Sequence, residues 1–304
     1  MTRKTPVNVA ASVRARLLKV SKERREDFTL TLVNYASERF LYRLSKSKYR
    51  DQFILKGAML FAARIGEPYR PTRDLDLLGM GEATEAAIDT AVRDIIATDV
   101  GDDGLVFDVD TLRVHVIRED DRYGGMRASL QAYLAGARIP VQIDIGFGDA
   151  VTPAATDLDF PTLLEGMPSA NVLAYPMETV VAEKVEAMVD LGISNSRMKD
   201  FTDVAVAAKR IAFDGATLVS ALRATFHRRG TAFPDGEIVA MTDSFVQDAT
   251  AQANWKAFAN RNQVQFESLG QLVSELREFL RAPLLRARSG DDFSARWNPG
   301  GPWV

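Results

Sequence analysis

The stretch LKGAMLFAARIGEPYRPTRDLDLLG, residues 55–79, sets a Lys-Gly pair before an apolar helical run and closes on two aspartates spaced one apart among leucines. In an extended strand successive side chains alternate between faces. Leu75 and Leu77 then point one way, while Asp74 and Asp76 point the other with Cβ atoms roughly 6.5–7 Å apart. Such a pair suits two cations about 3.5–4 Å apart in phosphoryl chemistry, and it equally describes the polar edge of a solvent-facing strand.

A second segment repeats the arrangement. In VQIDIGFG, residues 141–148, Val141, Ile143, Ile145 and Phe147 form an apolar face and Asp144 projects from the other, beside two glycines that leave room for a ligand. A third carboxylate on a neighbouring strand completes a metal-binding trio; read alone, Asp144 is a surface aspartate at a strand end. Lys56-Gly57 sits where a strand turns into a helix, and glycine there lets phosphate oxygens approach backbone N–H groups at the positive helix end. The same glycine also serves an ordinary tight turn.

At 304 residues and 46% hydrophobic content the chain buries a substantial core, as one large domain or two modest ones. With no cysteine and only two histidines, His115 and His227, disulfides and thiolate metal sites are excluded. Carboxylates remain as metal ligands, which favours a hard cation such as magnesium. The N-terminus lacks an apolar leader and no uncharged run approaches the length of a membrane span, so a cytoplasmic protein with no membrane partner is expected. Residues 1–50 carry 13 Lys/Arg against 4 Asp/Glu, a net +9, leaving −12 on the rest of a chain whose total is −3. That asymmetry fits a polyanionic partner, and it fits a solvated amphipathic helix equally well.

Helical spacing covers 12–22, 28–47 and 57–65, the last preceded by the apolar triplet Phe53-Ile54-Leu55. Strand patterns follow at 73–78, 105–110, 112–117, 126–134 and 138–147, with a helix over 82–98. After Pro176 the pattern turns helical at 177–191, 198–211, 216–227, 238–260 and 269–287. The expected fold class is α/β, a small mixed β-sheet core with N-terminal helices followed by an α-helical C-terminal domain. The expected divisions are a basic helical segment 1–50, the α/β core 51–170, the helical domain 171–290 and an irregular tail 291–304, whose two tryptophans point to some docking.

On the helix over 177–191, Met177, Val180, Val181, Lys184, Val185, Met188 and Leu191 share one stripe, with Glu183, Glu186 and Asp190 outside it. Lys184 therefore either snorkels at the edge of a core or lines a cleft, and Lys184→Ala is expected to take a charge off an apolar surface. Asp200 follows among Arg197, Lys199 and Asp203, where it caps a helix or neutralises the basic cluster.

Together these motifs carry a resemblance. Lys56-Gly57, a helix, then Thr72-x-Asp74-x-Asp76-Leu77 resembles the nucleotidyltransferase superfamily of polymerase-β type, and more narrowly the AbiEii/MenT toxins of bacterial toxin–antitoxin systems. YPMETVVAEKVEAM, residues 175–188, resembles that family's lysine-bearing helix, and SRMKDFTDV, residues 196–204, resembles its Arg-x-Lys-Asp-x-x-Asp motif. The match runs from about Phe53 to Val206 in the family's order, while the flanking segments agree only in being helical.

The resemblance implies a catalytic set of Asp74, Asp76, Lys184 and Asp200, with Asp74, Asp76 and Asp144 holding Mg2+. It implies nucleotide binding by Lys56, Gly57, Thr72, Arg73, Lys184, Arg197 and Lys199, with Asp200 positioning Lys184 and Asp203 as the weaker candidate. The helical domain would close the cleft. NMP would pass from an NTP to an RNA 3′-hydroxyl, with a tRNA acceptor end as the expected acceptor, blocking translation and growth until a cognate antitoxin intervenes. Ala58 departs from relatives that carry Gly or Ser there, which removes a hydroxyl contact to the triphosphate. That departure keeps open a second reading, a catalytically weak nucleotide- or nucleic-acid-binding protein. Thr72 matches a hydroxyl residue that in relatives can be phosphorylated to silence the toxin; it is equally a strand-entry threonine.

Overall fold

The computed structural model describes residues 8–66, 71–119, 123–262 and 264–304. They divide into two compact units: the described residues of Met1–Gly66, Pro71–Gly148 and Thr156–Ala174, and those of Asp149–Ala155 and Tyr175–Val304.

The first unit is a mixed sheet under helices. β1 (Phe53–Lys56), β2 (Asp74–Gly79), β3 (Val106–Glu119), β4 (Tyr123–Leu134), β5 (Ala137–Phe147), β6 (Thr156–Phe160) and β7 (Ala170–Ala174) stand in the order β3-β4-β5-β2-β1-β7-β6. β2 pairs parallel with β5 and antiparallel with β1, and β1 is parallel with β7. α1 (Val9–Arg24) and α2 (Phe28–Lys46) start at Asn8 and Asp27, whose side chains accept from Ala11 N at 2.9 Å and Leu30 N at 3.0 Å. α2 packs on β5 and β7, α3 (Gly57–Ile65) on β1 and β2, and α4 (Glu85–Ile96) on β3 and β4.

α2 is buried on most of its circumference, including Glu38, Arg39 and Arg43. Arg39 pairs with Glu38 at 2.6 Å and donates to Pro168 O, Glu38 accepts from Leu163 N, and Arg43 forks onto Asp103 at 2.7 and 3.2 Å. Burial raises the Glu38 carboxyl against the opposing pull of Arg39. Two of the thirteen basic residues counted at the N-terminus are therefore structural, and Arg3 and Lys4 lie outside the described residues. The charge that reaches solvent is concentrated on and just after α1, at Arg14, Lys19, Lys22, Arg24 and Arg25.

Several expected elements are corrected. The strands over 105–110 and 112–117 are one strand, β3, broken in register between Asp108 and Arg113 by a bulge. β6 and β7 escape the alternation test because they are five residues long and partly exposed.

The second unit contains α5 (Met177–Leu191), α6 (Met198–Arg210), α7 (Gly215–Arg229), α8 (Asp243–Gln247), α9 (Ala249–Arg261) and α10 (Leu269–Ser289), with β8 (Phe213–Asp214) paired to β9 (Arg296–Trp297). The single helix expected over 238–260 is divided, because Thr242 and Asp248 each cap a new start, accepting from Phe245 N and Ala251 N. The tail is tied down. Trp297 Nε1 donates to Ala208 O at 2.7 Å, Trp303 Nε1 donates to Phe279 O at 2.8 Å, and both rings pack on Phe279.

Candidate active site

Parallel pairing of β2 with β5 sets Asp76 directly opposite Asp144 and Asp74 opposite Gln142. Directly opposed residues share a face, so the three aspartates converge, with one carboxylate oxygen from each lying within 4.8 Å of the others. Asp144 is buried, whereas Asp74 and Asp76 are half-exposed, and Leu75 and Leu77 fill the core behind them. Thr72 Oγ1 donates to Asp74 Oδ1 at 2.6 Å, fixing that carboxylate's rotamer.

Lys56 is the cross-strand partner of Asp76 and the residue before α3. Gly57 follows at φ +71°, and a Cβ built there would stand 1.8 Å from Asp76 Oδ2. The glycine is required twice over, by its left-handed backbone and by the carboxylate pressed against the first turn of α3. Ala58 is buried, so its methyl faces the core. Arg73 is exposed beside the cluster.

Sequence reasoning missed Arg127. It lies opposite Asp144 on β4, and its Nε and Nη2 donate to Asp144 Oδ1 and Oδ2, both at 2.7 Å. The Gln142 amide, with its oxygen turned to the guanidinium, accepts at 3.2 Å from the same two nitrogens. The alternation of β4 places Arg127 on the polar face, but only the β4–β5 register shows what it meets.

In the second unit Lys184 neither snorkels nor stands alone. Its Nζ lies 2.7 Å from Asp200 Oδ1 and 2.7 Å from Asp203 Oδ2, and Arg197 Nε donates to Asp200 Oδ2 at 2.7 Å. Both aspartates are buried in α6. Burial pushes Asp200 up, but Lys184 and Arg197 outweigh it and hold the carboxyl below its ordinary range. Burial pushes Asp203 well above that range. Lys184 thus stands at the same distance from both carboxylates but holds only Asp200 below its ordinary range, and Lys199 is exposed.

Glu183 and Glu186, which lie outside the apolar stripe of α5, are drawn into ion pairs. Glu186 is buried, accepts from Arg229 Nη1 at 2.8 Å and also takes the Thr231 hydroxyl, and Arg229 reaches Glu183 and Asp149 as well. α5 is packed by α6 on one side and α7 on another, which leaves too little free surface for a polar stripe.

A cavity of about 430 Å³ in the first unit is lined by Tyr49, Phe53, Gly79, Thr84, Ile88 and Phe147. It opens at the Gly79 end of β2, roughly 16 Å along the strand from Asp74.

A mixed sheet carrying Asp-x-Asp on one strand, a third aspartate on its parallel neighbour and a glycine-started helix against them defines a nucleotidyltransferase-type centre. Residues 39–282 match the family described as "Nucleotidyl transferase AbiEii toxin, Type IV TA system", and the chain belongs to that family of toxin–antitoxin nucleotidyltransferases. Among solved structures it is similar to JHP933 from Helicobacter pylori, at 16% identity over 84% of this chain and 91% of that one, with a TM-score of 0.45. A second structure, described as "Crystal structure of putative nucleotidyltransferase from H. pylori", matches at 14% identity over 84% of this chain and 93% of that one, with a TM-score of 0.44. No curated protein matches.

Proposed function

We propose that the chain transfers a nucleoside monophosphate from an NTP to an RNA 3′-hydroxyl, with the acceptor end of tRNA as the substrate, and that a cognate antitoxin holds this activity in check. The observation that carries the reading is the convergence of Asp74, Asp76 and Asp144 against the start of α3. Three hard oxygen donors within 4.8 Å of one another fit Mg2+, with no need for sulfur or imidazole. When bound there, Mg2+ supplies charge neutralisation for the phosphates and lowers the pKa of the attacking hydroxyl.

The chain's own groups supply orientation. Thr72 fixes Asp74, and Gly57 brings the first N–H groups of α3 to the phosphates that Lys56 helps to neutralise. Asp200 and Asp203 position Lys184 for the triphosphate, and Arg73, Arg197 and Lys199 add positive charge. As the O3′–Pα bond forms, the bond from Pα to the leaving pyrophosphate breaks, and positioning together with charge neutralisation carries most of the catalysis. The exposed lysines and arginines at the end of α1 suit an RNA backbone better than Lys209, which is committed to Glu275 at 2.8 Å and lies over Phe266.

Asp74→Ala tests the reading. Incubation with each NTP and total tRNA, followed by mass spectrometry of RNA 3′ ends, should show nucleotide addition by the native protein and none by the variant, with an unchanged melting temperature. Full activity in the variant refutes the metal assignment; no addition by the native protein with any NTP favours the nucleotide-binding alternative.

A further inference from the structure

Strand register aligns Lys56, Asp76, Asp144, Arg127 and His115 as directly opposed residues across β1, β2, β5, β4 and β3. Asp144 therefore stands between a like charge and an opposite one. The guanidinium meets it as a planar fork, two nitrogens on two oxygens at 2.7 Å each, while a third of the Arg127 side chain stays accessible. Gln142 supports the fork from the residue two before Asp144.

We infer that Arg127 is a positioning residue that holds Asp144 as an internal counter-cation, so that a divalent ion gains this ligand fully only as the guanidinium passes to the phosphates of an incoming nucleotide. This rests on the metal reading of the triad. A dication and a guanidinium sharing one carboxylate repel each other, and at a partly buried site that repulsion outweighs the benefit of a well-oriented ligand. The side chain is exposed enough to move, and arginine's fork suits phosphate as well as carboxylate. Ion capture is thereby coupled to substrate arrival, and each favours the other.

The coupling has a signature that a purely structural clamp lacks. In R127Q, Mn2+ binding measured by paramagnetic resonance without nucleotide should tighten about tenfold, while affinity for the NTP at saturating Mg2+ falls about as much. R127K keeps the charge without the fork and should bind Mn2+ within about threefold of the native protein. In a D144N background the R127Q gain should vanish. Equal or weaker Mn2+ binding by R127Q, in a protein whose melting shows it folded, overturns the inference alone, as does R127K behaving like R127Q. Failure of native, R127Q and R127K proteins alike to bind Mn2+ overturns the metal reading and this inference with it.

Discussion

Lys184→Met removes one charge and keeps most of the stem. Its ammonium lies 2.7 Å from a carboxylate oxygen of each of Asp200 and Asp203, and both acids are almost wholly buried. The substitution leaves Asp200 with Arg197 and takes the lysine away from Asp203. Breaking a buried pair costs about 3–5 kcal/mol, chiefly through the stranded charge. The loss here falls near the lower end, because burial already pushes Asp203 up and lets it shed charge by taking a proton. We expect about 3 kcal/mol at neutral pH, a fall in Tm of about 6–10 °C for a unit of this size.

The pH dependence follows with a definite sign. Asp200 has a lowered folded-state pKa, so its contribution is present above the unfolded value and is lost as pH falls through the folded one. Asp203 already has a raised folded-state pKa in the native protein, so the stability that goes with its proton is present at low pH in both proteins and is lost as pH rises through the folded value. The gap between native and variant proteins should therefore narrow as pH is lowered from about 5 towards about 3, where Asp200 takes a proton and the lysine has less charge to hold. Thermal melts across that range give the answer. A variant as stable as the native protein at neutral pH, or a gap that widens on acidification, refutes this account of the lysine. The sequence expectation that Lys184→Ala relieves a core is reversed here, because the partners were invisible until α5 and α6 were packed.

Two further outcomes are expected. Gly57→Ala pays about 1 kcal/mol for its left-handed backbone and pushes Asp76 off its position, so transfer should fall about a hundredfold with only a few degrees lost in Tm; native activity would remove the close approach from the site. Neutralising Arg14, Lys19, Lys22, Arg24 and Arg25 together should weaken RNA binding and reduce the slope of log affinity against log salt by about 0.7–0.9 per lost phosphate contact, with NTP affinity unchanged; an unchanged slope assigns the basic face to another role.

The chemistry-bearing strand was readable because its code is local. Period-two alternation places Asp74 and Asp76 together whatever surrounds them, and the same holds for Asp144 on β5. What alternation cannot supply is register. Arg127 and Asp144 are brought together by hairpin pairing, and Gly57 meets Asp76 through the antiparallel match of β1 to β2. Long amphipathic helices were legible within about three residues at either end, yet Thr242 and Asp248 read as helix interior, where their capping bonds start new helices. Arg39 and Arg43 looked like surface charge because composition carries no information on burial.

The strand order has a consequence for biosynthesis. β2 leaves its sequence neighbour β3 at the sheet edge and waits for β5 as its parallel partner, so the acidic cluster joins residues 76 and 144 across the whole β3-β4-β5 meander. Pairings that distant in sequence close late, after the local hairpins. A chain emerging from the ribosome therefore has no such cluster until β5 has been made and inserted, and the lysine centre, carried on α5 and α6, is translated later still. For a chain of a toxin–antitoxin nucleotidyltransferase family, the fold itself delays the acidic cluster until β5 has been made, and the lysine centre until α6 has followed.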